Sequence, residues 1–364
     1  MHGEIITVPV TLTEQPYNVL IGSGILNKAG ELASNVLDPC SCALIADDVV
    51  ASLHAQPLLD SLAQAGFQPR LVNFPGGEES KSMVHAAELC DRLIALGLDR
   101  KSAVFALGGG VTGDLAGFVS SIYYRGIPVI QVPTTIVAQV DSSVGGKTGV
   151  NSPEGKNLIG TFHHPRLVLT DTATLETLPD HIFQEGLAEI IKHAVIADAA
   201  MLDLLPPNRV TNLSDLIARN VAIKARIVAE DQFETSGTRA LLNFGHTVGH
   251  AIESVAGYGT LSHGEAVAIG MIAALDLSRK LAGLTEESAS RVEAIIKACG
   301  LPTTIPASVA KELTTESILA ALFRDKKFDR GAIRFVLTKE LGSAFVSTQV
   351  TLTDVSGAIE RLRG

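Results

Sequence analysis

Tryptophan is absent and aromatic residues make up only 4% of the chain, which argues against the stacking platforms that hold single-stranded nucleic acid. Positive charge is in deficit: 29 Lys and Arg stand against 39 Asp and Glu, for a formal net charge of −10. Taken whole, such a chain repels nucleic acid and anionic membranes, yet it can still build a local cationic pocket for a small anion. Long apolar runs are missing. The longest stretch of apolar residues and glycine, Ala266–Leu275, has ten residues, about half of the ~20 that cross a bilayer, so no membrane partner is expected. Residues 1–10 carry no basic segment followed by an apolar one, and no secretory signal is expected. Cysteine is scarce too. Cys40, Cys42, Cys90 and Cys299 form no CxxC pair, which excludes the usual structural zinc knuckles and fits reduced thiols in a cytoplasmic protein.

What is present is a large apolar fraction, 46% against 19% charged, enough to rule out general disorder. A length of 364 residues suggests two domains. The first half alternates. Short apolar runs at 41–47, 69–74, 103–107 and 129–132 read as strands, and 53–66 and 83–96 have helical spacing. That rhythm predicts a Rossmann-like α/β domain with a mostly parallel sheet over residues 1–176. Beyond it, helical periodicity dominates at 182–197, 213–229, 247–255, 264–282 and 286–299, with breaks at Pro206-Pro207, at 257–259 and at 300–302. A mainly α-helical second domain over 177–364 is expected, with one strand-like alternation at Ala332–Thr338.

Glycine is concentrated where chemistry is suspected: 11 of the 33 glycines fall between residues 108 and 160. Gly108, Gly110 and Gly113 satisfy G-x-G-x-x-G directly after a strand and before a helix, a context in which backbone N–H groups hold a pyrophosphate. No acid follows about 20 residues later; Asp114 comes at once, and Asp47, at an earlier strand end, could hold a ribose hydroxyl or cap a turn. Residues 141–162 set Lys147, Lys156 and Asn157 among glycines and hydroxyls, suited to a phosphate or carboxylate. This is not a Walker loop, because Asp141 stands where glycine is needed. His246 and His250 lie four apart and face one side of a helix, as a divalent metal requires, with His263 or Glu189 as the third ligand. Glu189, Lys192 and His193 share a helix face. Lys192, Lys224, Arg239, Lys326 and Lys327 are scattered cations that together would suit a highly anionic small substrate.

The segments GGGVTGDLAGFVSSIYYRG, VPTTIVAQVDSSVGGKTGVN, GKNLIGTF, GLAEIIK, LLNFGHTVGHAIE, SHGEAVAIGM and DKK occur in that order. Together, over about residues 40–340, they closely resemble the 3-dehydroquinate synthase family of sugar-phosphate cyclases. The resemblance implies a homodimer of the corresponding fold, with NAD as cofactor and a divalent metal, zinc or cobalt, held by Glu189, His246 and His263. That moves His250 from ligand to acid/base or proton-shuttling residue. It implies NAD contacts at Asp47, Glu78, Lys81, Gly109, Gly110, Val111, Asp114, Thr134, Thr135, Lys156, Thr174, Leu175, Glu176 and Thr177. Substrate contacts fall on Arg125, Asp141, Lys147, Asn157, Lys192, Lys224, Arg239, Asn243, His250 and the pair Lys326 and Lys327. The catalytic set becomes His250, Glu234, Lys147, Asp141 and Lys192.

The implied reaction is the conversion of 3-deoxy-D-arabino-heptulosonate 7-phosphate to 3-dehydroquinate and phosphate in the shikimate pathway. It proceeds through transient oxidation by NAD, phosphate elimination, re-reduction and intramolecular aldol closure. Two positions depart from the family pattern. Glu234 stands five residues before Arg239 rather than four, and Val49 replaces the asparagine often found two residues after the strand-end aspartate. A cyclase acting on another sugar phosphate and a metal-dependent polyol dehydrogenase are the competing readings within enzymes; the latter would have little use for the cation cluster.

Overall fold

The computed structural model describes residues 4–206, 213–257, 259–324, 328–329 and 332–363. Lys326 and Lys327 lie outside the described residues, as do Pro207 and Tyr258 of the expected breaks. The chain divides into two compact units, Met1–Pro179 with Arg209–Phe233, and Asp180–Asn208 with Glu234–Gly364.

The first unit contributes strands β1 (Ile6–Val10), β2 (Tyr17–Gly22), β3 (Ser41–Asp47), β4 (Gln68–Phe74), β5 (Ala103–Gly108), β6 (Val129–Pro133), β7 (Lys147–Ser152), β8 (Gly155–Phe162) and β9 (Leu167–Asp171). Its first helices are α1 (Ala29–Ser34), α2 (Asp48–Gln64), α3 (Met83–Ala95) and α4 (Gly110–Ile122). Seven strands form one sheet in the order β1-β2-β9-β6-β5-β3-β4. All neighbours are parallel except β1, which runs antiparallel to β2 at the edge. Pro9 is tolerated there because an edge strand can lack a ladder donor. Leu44, Phe105 and Ile130 face α1 and α2, while Ile45, Val104 and Val129 face α3 and α4. With both faces covered, the strands read as continuous apolar runs rather than alternating ones. From β3 the chain winds outward to β4, and from β5 it winds the other way to β6 and β9, so the winding reverses between β3 and β5. In open α/β sheets ligands bind beyond the carboxyl ends of the strands at such a reversal.

The chain then enters the second unit as α5 (Asp180–Ala197) and returns to the first as α6 (Leu213–Glu230), which packs on β1 and β2. The expectation of a single boundary near residue 176 did not include this return. The second unit continues with α7 (His246–Ala256), α8 (His263–Ala282), α9 (Glu286–Ala298) and α10 (Thr315–Arg324). It ends with β10 (Phe328–Asp329), β11 (Ala332–Ile333), β12 (Phe335–Glu340), β13 (Ser343–Ser347) and α11 (Leu352–Leu362). The alternation at Ala332–Thr338 is thus broken at Arg334 rather than forming one strand. The twenty-residue α8 is the axis, with α5, α7, α9, α11 and β12 packed around it. It starts on a capping box between Ser262 and Glu265 and stops at the left-handed Gly283. Val248, Ile252, Ile269, Leu277, Ile318, Phe335 and Ile359 fill the core.

Candidate functional site

The candidate site of the first unit is made largely of backbone. Asp47 ends β3, Gly109–Val111 follow β5, Thr134 and Thr135 follow β6, and Thr174, Leu175, Glu176 and Thr177 follow β9. These strands are neighbours in the sheet, so every one of these residues sits at its carboxyl edge. Gly109 occupies the N-cap of α4 with no capping side chain, which leaves the first N–H groups of the helix available to an anion. The glycine pattern has a steric cause. A Cβ at Gly108 would lie 2.4 Å from Thr112 Oγ1, and one at Gly113 would lie 2.8 Å from Gln131 Oε1 of β6. The strand-to-helix turn and the packing of α4 on the sheet both require the missing side chain.

Thr134 donates its N–H to Gly108 O at 2.9 Å, which ties the two loops together. Asp47 caps α2 by accepting from Val49 N at 3.1 Å and Val50 N at 3.0 Å. The helix-capping alternative for this residue is therefore present in the structure. Val49, at the departure from the family pattern, is exposed. The turn at 172–177 hangs on Asp171, whose carboxylate accepts from Ala173 N at 2.9 Å and also from Gly24 N and Leu26 N. Gln139 Nε2 then donates to Thr174 Oγ1 at 3.2 Å.

A polar cluster extends from this edge. Lys81, almost fully buried, places Nζ 2.5 Å from both Asp114 Oδ2 and Asn157 Oδ1. Burial pushes the Asp114 carboxyl up, and Lys81 only partly counters it. Glu78 Oε1 accepts from Asn151 Nδ2 at 2.8 Å and lies 4.0 Å from Lys156 Nζ. Most of the stretch 141–162, expected to suit a phosphate or carboxylate, is the hairpin β7–β8, and it brings Lys156 to Glu78 and Asn157 to Lys81. Lys147 opens β7 and is exposed. Lys224 of α6 forms an ion pair with the Asp141 carboxylate and donates to the Asp141 carbonyl at 2.6 Å. Arg125 is exposed and stands apart from the glycine turn, past the far end of the thirteen-residue α4, roughly 18 Å or more away by helical rise.

The candidate site of the second unit is made of side chains. Glu189 comes from the middle of α5, His246 from the start of α7 and His263 from the start of α8. Close helix crossings bring them together. A Cβ at Gly264 would fall 2.2 Å from Glu185 O, and one at Gly270 would fall 2.1 Å from Gly245 O, so α8 meets α5 and the entry to α7 at backbone contact. The Nε2 atoms of His246 and His263 lie 3.4 Å and 3.5 Å from the same oxygen, Glu189 Oε1. Donor atoms of all three residues fall within 4.8 Å of one another. A four-coordinate ion with bonds of ~2.0–2.2 Å holds its ligand atoms ~3.3–3.6 Å apart, so the set fits such an ion. Three protein ligands also leave a fourth position open, as catalytic sites do.

The ring orientations suit the same purpose. His246 Nδ1 is 3.2 Å from Phe244 O and His263 Nδ1 is 3.2 Å from Glu253 Oε2. Each ring sets Nδ1 against an oxygen that can only accept, which leaves Nε2 as the nitrogen that faces Glu189. Burial pushes the Glu189 carboxyl up, but Lys192, with which it forms a buried ion pair, and His246 outweigh this and hold it well below the usual range. Burial pushes the His263 imidazole down, yet Glu189 and Glu253 outweigh it and raise it to about 10. The field of the site favours positive charge.

His250 is one helical turn from His246, with ring centroids 5.1 Å apart, and its ring lies 5.9 Å from that of His263. Arg239 is buried and Asn243 half-buried, both on the turn Thr238–Asn243 that leads into α7. Between Glu234 and Arg239 the chain takes two left-handed positions, Glu234 at φ 60° and Gly237 at φ 88°. Both fall in the segment where the spacing is one residue longer. Sequence reasoning missed Glu253; the signal was its place seven residues after His246, two turns along the same helix face.

Two solved structures share this architecture. One is a 2-deoxy-scyllo-inosose synthase complexed with carbaglucose-6-phosphate, NAD+ and Co2+, 28% identical with a TM-score of 0.85, covering 98% of this chain and 99% of the other. Another is a 2-epi-5-epi-valiolone synthase from Streptomyces hygroscopicus subsp. jinggangensis with NAD+ and Zn2+ bound, 30% identical with a TM-score of 0.85, covering 97% and 98%. The fold is thus that of a sugar-phosphate cyclase. Residues 71–185 match the family model described as 3-dehydroquinate synthase N-terminal, and residues 186–328 the one described as 3-dehydroquinate synthase C-terminal. A 3-dehydroquinate synthase of Caulobacter vibrioides is 47% identical over 353 residues, covering 94% of this chain and 95% of that protein. One of Desulforamulus reducens is 44% identical over 362 residues, covering 98% and 99%. The chain belongs to the 3-dehydroquinate synthase family.

Proposed function

We propose that this chain is an NAD- and divalent-metal-dependent lyase that converts 3-deoxy-D-arabino-heptulosonate 7-phosphate to 3-dehydroquinate and phosphate. The observation that carries the reading is the joint presence of a dinucleotide edge, a three-ligand cation site and the family's full-length sequence pattern. When bound, NAD supplies a reversible hydride acceptor and the ion supplies Lewis acidity at the alcohol that is oxidised.

In this reading the chain's own residues do the rest. Glu189, His246 and His263 hold zinc or cobalt. The carboxyl edge of the sheet, from Asp47 to Thr177, binds the cofactor, with Glu78, Lys81, Asp114 and Lys156 at its flank. Lys147, Asn157, Lys192, Lys224, Arg239 and Asn243, with the Lys326-Lys327 pair and Arg125, bind the phosphate and carboxylate and so orient the sugar. Asp141 positions Lys224 through their ion pair. His250 moves a hydroxyl proton, a role worth ~10²–10⁴-fold, and Glu234 assists from the loop before Arg239. The substrate's own phosphate is a sufficient base for the elimination, so no protein base is assigned to that step.

We further infer a homodimer, in keeping with the family resemblance, and a cytoplasmic location. The four free thiols suit that compartment, and no helix among the described residues is long and apolar enough to cross a membrane. The test is phosphate release from 3-deoxy-D-arabino-heptulosonate 7-phosphate with catalytic NAD and zinc or cobalt, followed at the NADH absorbance band. Stoichiometric phosphate without accumulating NADH is expected. Accumulating NADH with simple polyols would instead make the chain a dehydrogenase, and phosphate released only from another sugar phosphate would reassign the substrate.

A further inference from the structure

The three residues that could hold the ion are not equally constrained. Glu189 is fully buried, and His246 is nearly so and rests its Nδ1 on a backbone carbonyl. His263 is the first residue of α8 and its side chain is 36% exposed. The terminal torsion of an imidazole is broad and roughly two-fold, so a half-exposed ring can present either nitrogen inward. One carboxylate removes that freedom. Glu253, on α7 and 6% exposed, brings Oε2 to 3.2 Å from His263 Nδ1. In this orientation Nε2 faces Glu189 Oε1 at 3.5 Å. A ring rotated by half a turn would present carbon to both carboxylates and lose both contacts.

We propose that Glu253 is the positioning residue of the cation site: by accepting the Nδ1–H of His263 it selects the tautomer and ring orientation that present Nε2 to the ion, and raises the basicity of that nitrogen. The inference rests on the metal reading given above. It assigns Glu253 no contact with substrate, cofactor or ion. Outer carboxylates of this kind contribute about 10–100-fold to metal affinity.

The test loads cobalt(II) into wild type, Glu253→Ala, Glu253→Gln and His263→Ala, reading affinity by chelator competition and geometry by the visible cobalt bands. Glu253→Ala is expected to bind cobalt about 10–100-fold more weakly with altered bands. Glu253→Gln retains an acceptor oxygen without the charge, and restores the wild-type bands and part of the affinity. Wild-type affinity and bands in Glu253→Ala, with cobalt lost in His263→Ala, would overturn the inference and leave the metal site standing. Undiminished cobalt binding in His263→Ala would overturn the metal reading itself. Should the alanine variant fail to fold, nitrogen-15 spectra of the zinc-loaded wild type decide: His263 is expected to carry its proton on Nδ1 and coordinate through Nε2, and the reverse tautomer would overturn the inference.

Discussion

The candidate sites of the two units are built from opposite materials. In the first unit the glycine turn between β5 and α4 offers backbone N–H groups, and what matters is the absence of side chains at Gly108 and Gly113. In the second, Glu189, His246 and His263 offer side-chain atoms, and glycines at 264 and 270 serve only to bring their helices close enough. A backbone site is insensitive to side-chain deletion and vulnerable to side-chain addition. A side-chain site fails when any one donor is cut away, and its glycines act on it from a distance.

The largest effect should come from deleting a donor. His263→Ala is expected to leave a folded protein that holds no stoichiometric zinc and has lost about 10³-fold or more in kcat, the equivalent of several kcal/mol of Lewis-acid stabilisation. Metal analysis and turnover check it; full metal content and activity would break the comparison at its root. Next comes Gly270→Ala. The added methyl meets backbone at 2.1 Å, so overpacking outweighs the helix propensity gained, and stability should fall by about 1–3 kcal/mol, read by urea unfolding. Metal affinity should fall with it, while NAD affinity stays at the wild-type value.

A smaller and more selective effect is expected from Lys147→Ala. As a point charge for an anionic group, its loss should raise KM for the sugar phosphate about tenfold or more and change NAD affinity much less. Calorimetry with each ligand separates the two, and the reverse order would move Lys147 to the cofactor side. The smallest effect concerns Asp354, at the start of α11. Hydrogen bonding from Lys280 and Thr351 holds its carboxyl down to about 2. A depressed carboxyl stabilises the fold above its ordinary range near pH 4 and loses that contribution as pH falls through about 2. Asp354→Asn should therefore lower stability by under about 1 kcal/mol at pH 7, with the gap from wild type closing toward pH 2 in urea titrations.

The same contrast explains what could be read beforehand. β3, β5 and β6 were legible because short apolar runs ended in recognisable turns, and α5 to α9 because their apolar spacing is long and regular. β9 (LVLTD) went unread, since a run of three apolar residues carries no period that separates a buried strand from a buried helix. β1 and β2 were missed as well, and in β1 Pro9 interrupts the pattern. The hairpin β7–β8 was not read as strands because glycines interrupt its pattern, and two of them, Gly149 and Gly160, lie where the two strands approach at backbone distance. For the cation site, spacing within one helix offered His246 with His250. The set whose donor atoms converge draws on three helices, a proximity that tertiary packing creates and that spacing along one helix does not reveal. Arg125 shows the converse: it lies within a recognisable motif, yet the fold carries it away from the glycine turn.

The return of α6 to the first unit bears on how the chain could be divided. The family models meet at residues 185 and 186, inside α5, whereas the compact units exchange chain at 179, 209 and 233. A chimaera joined at the family boundary would inherit the β1–β2 edge from one parent and the helix that covers it from another. Modularity along the sequence and modularity in space are different properties here, and hybrids built between relatives should respect the second.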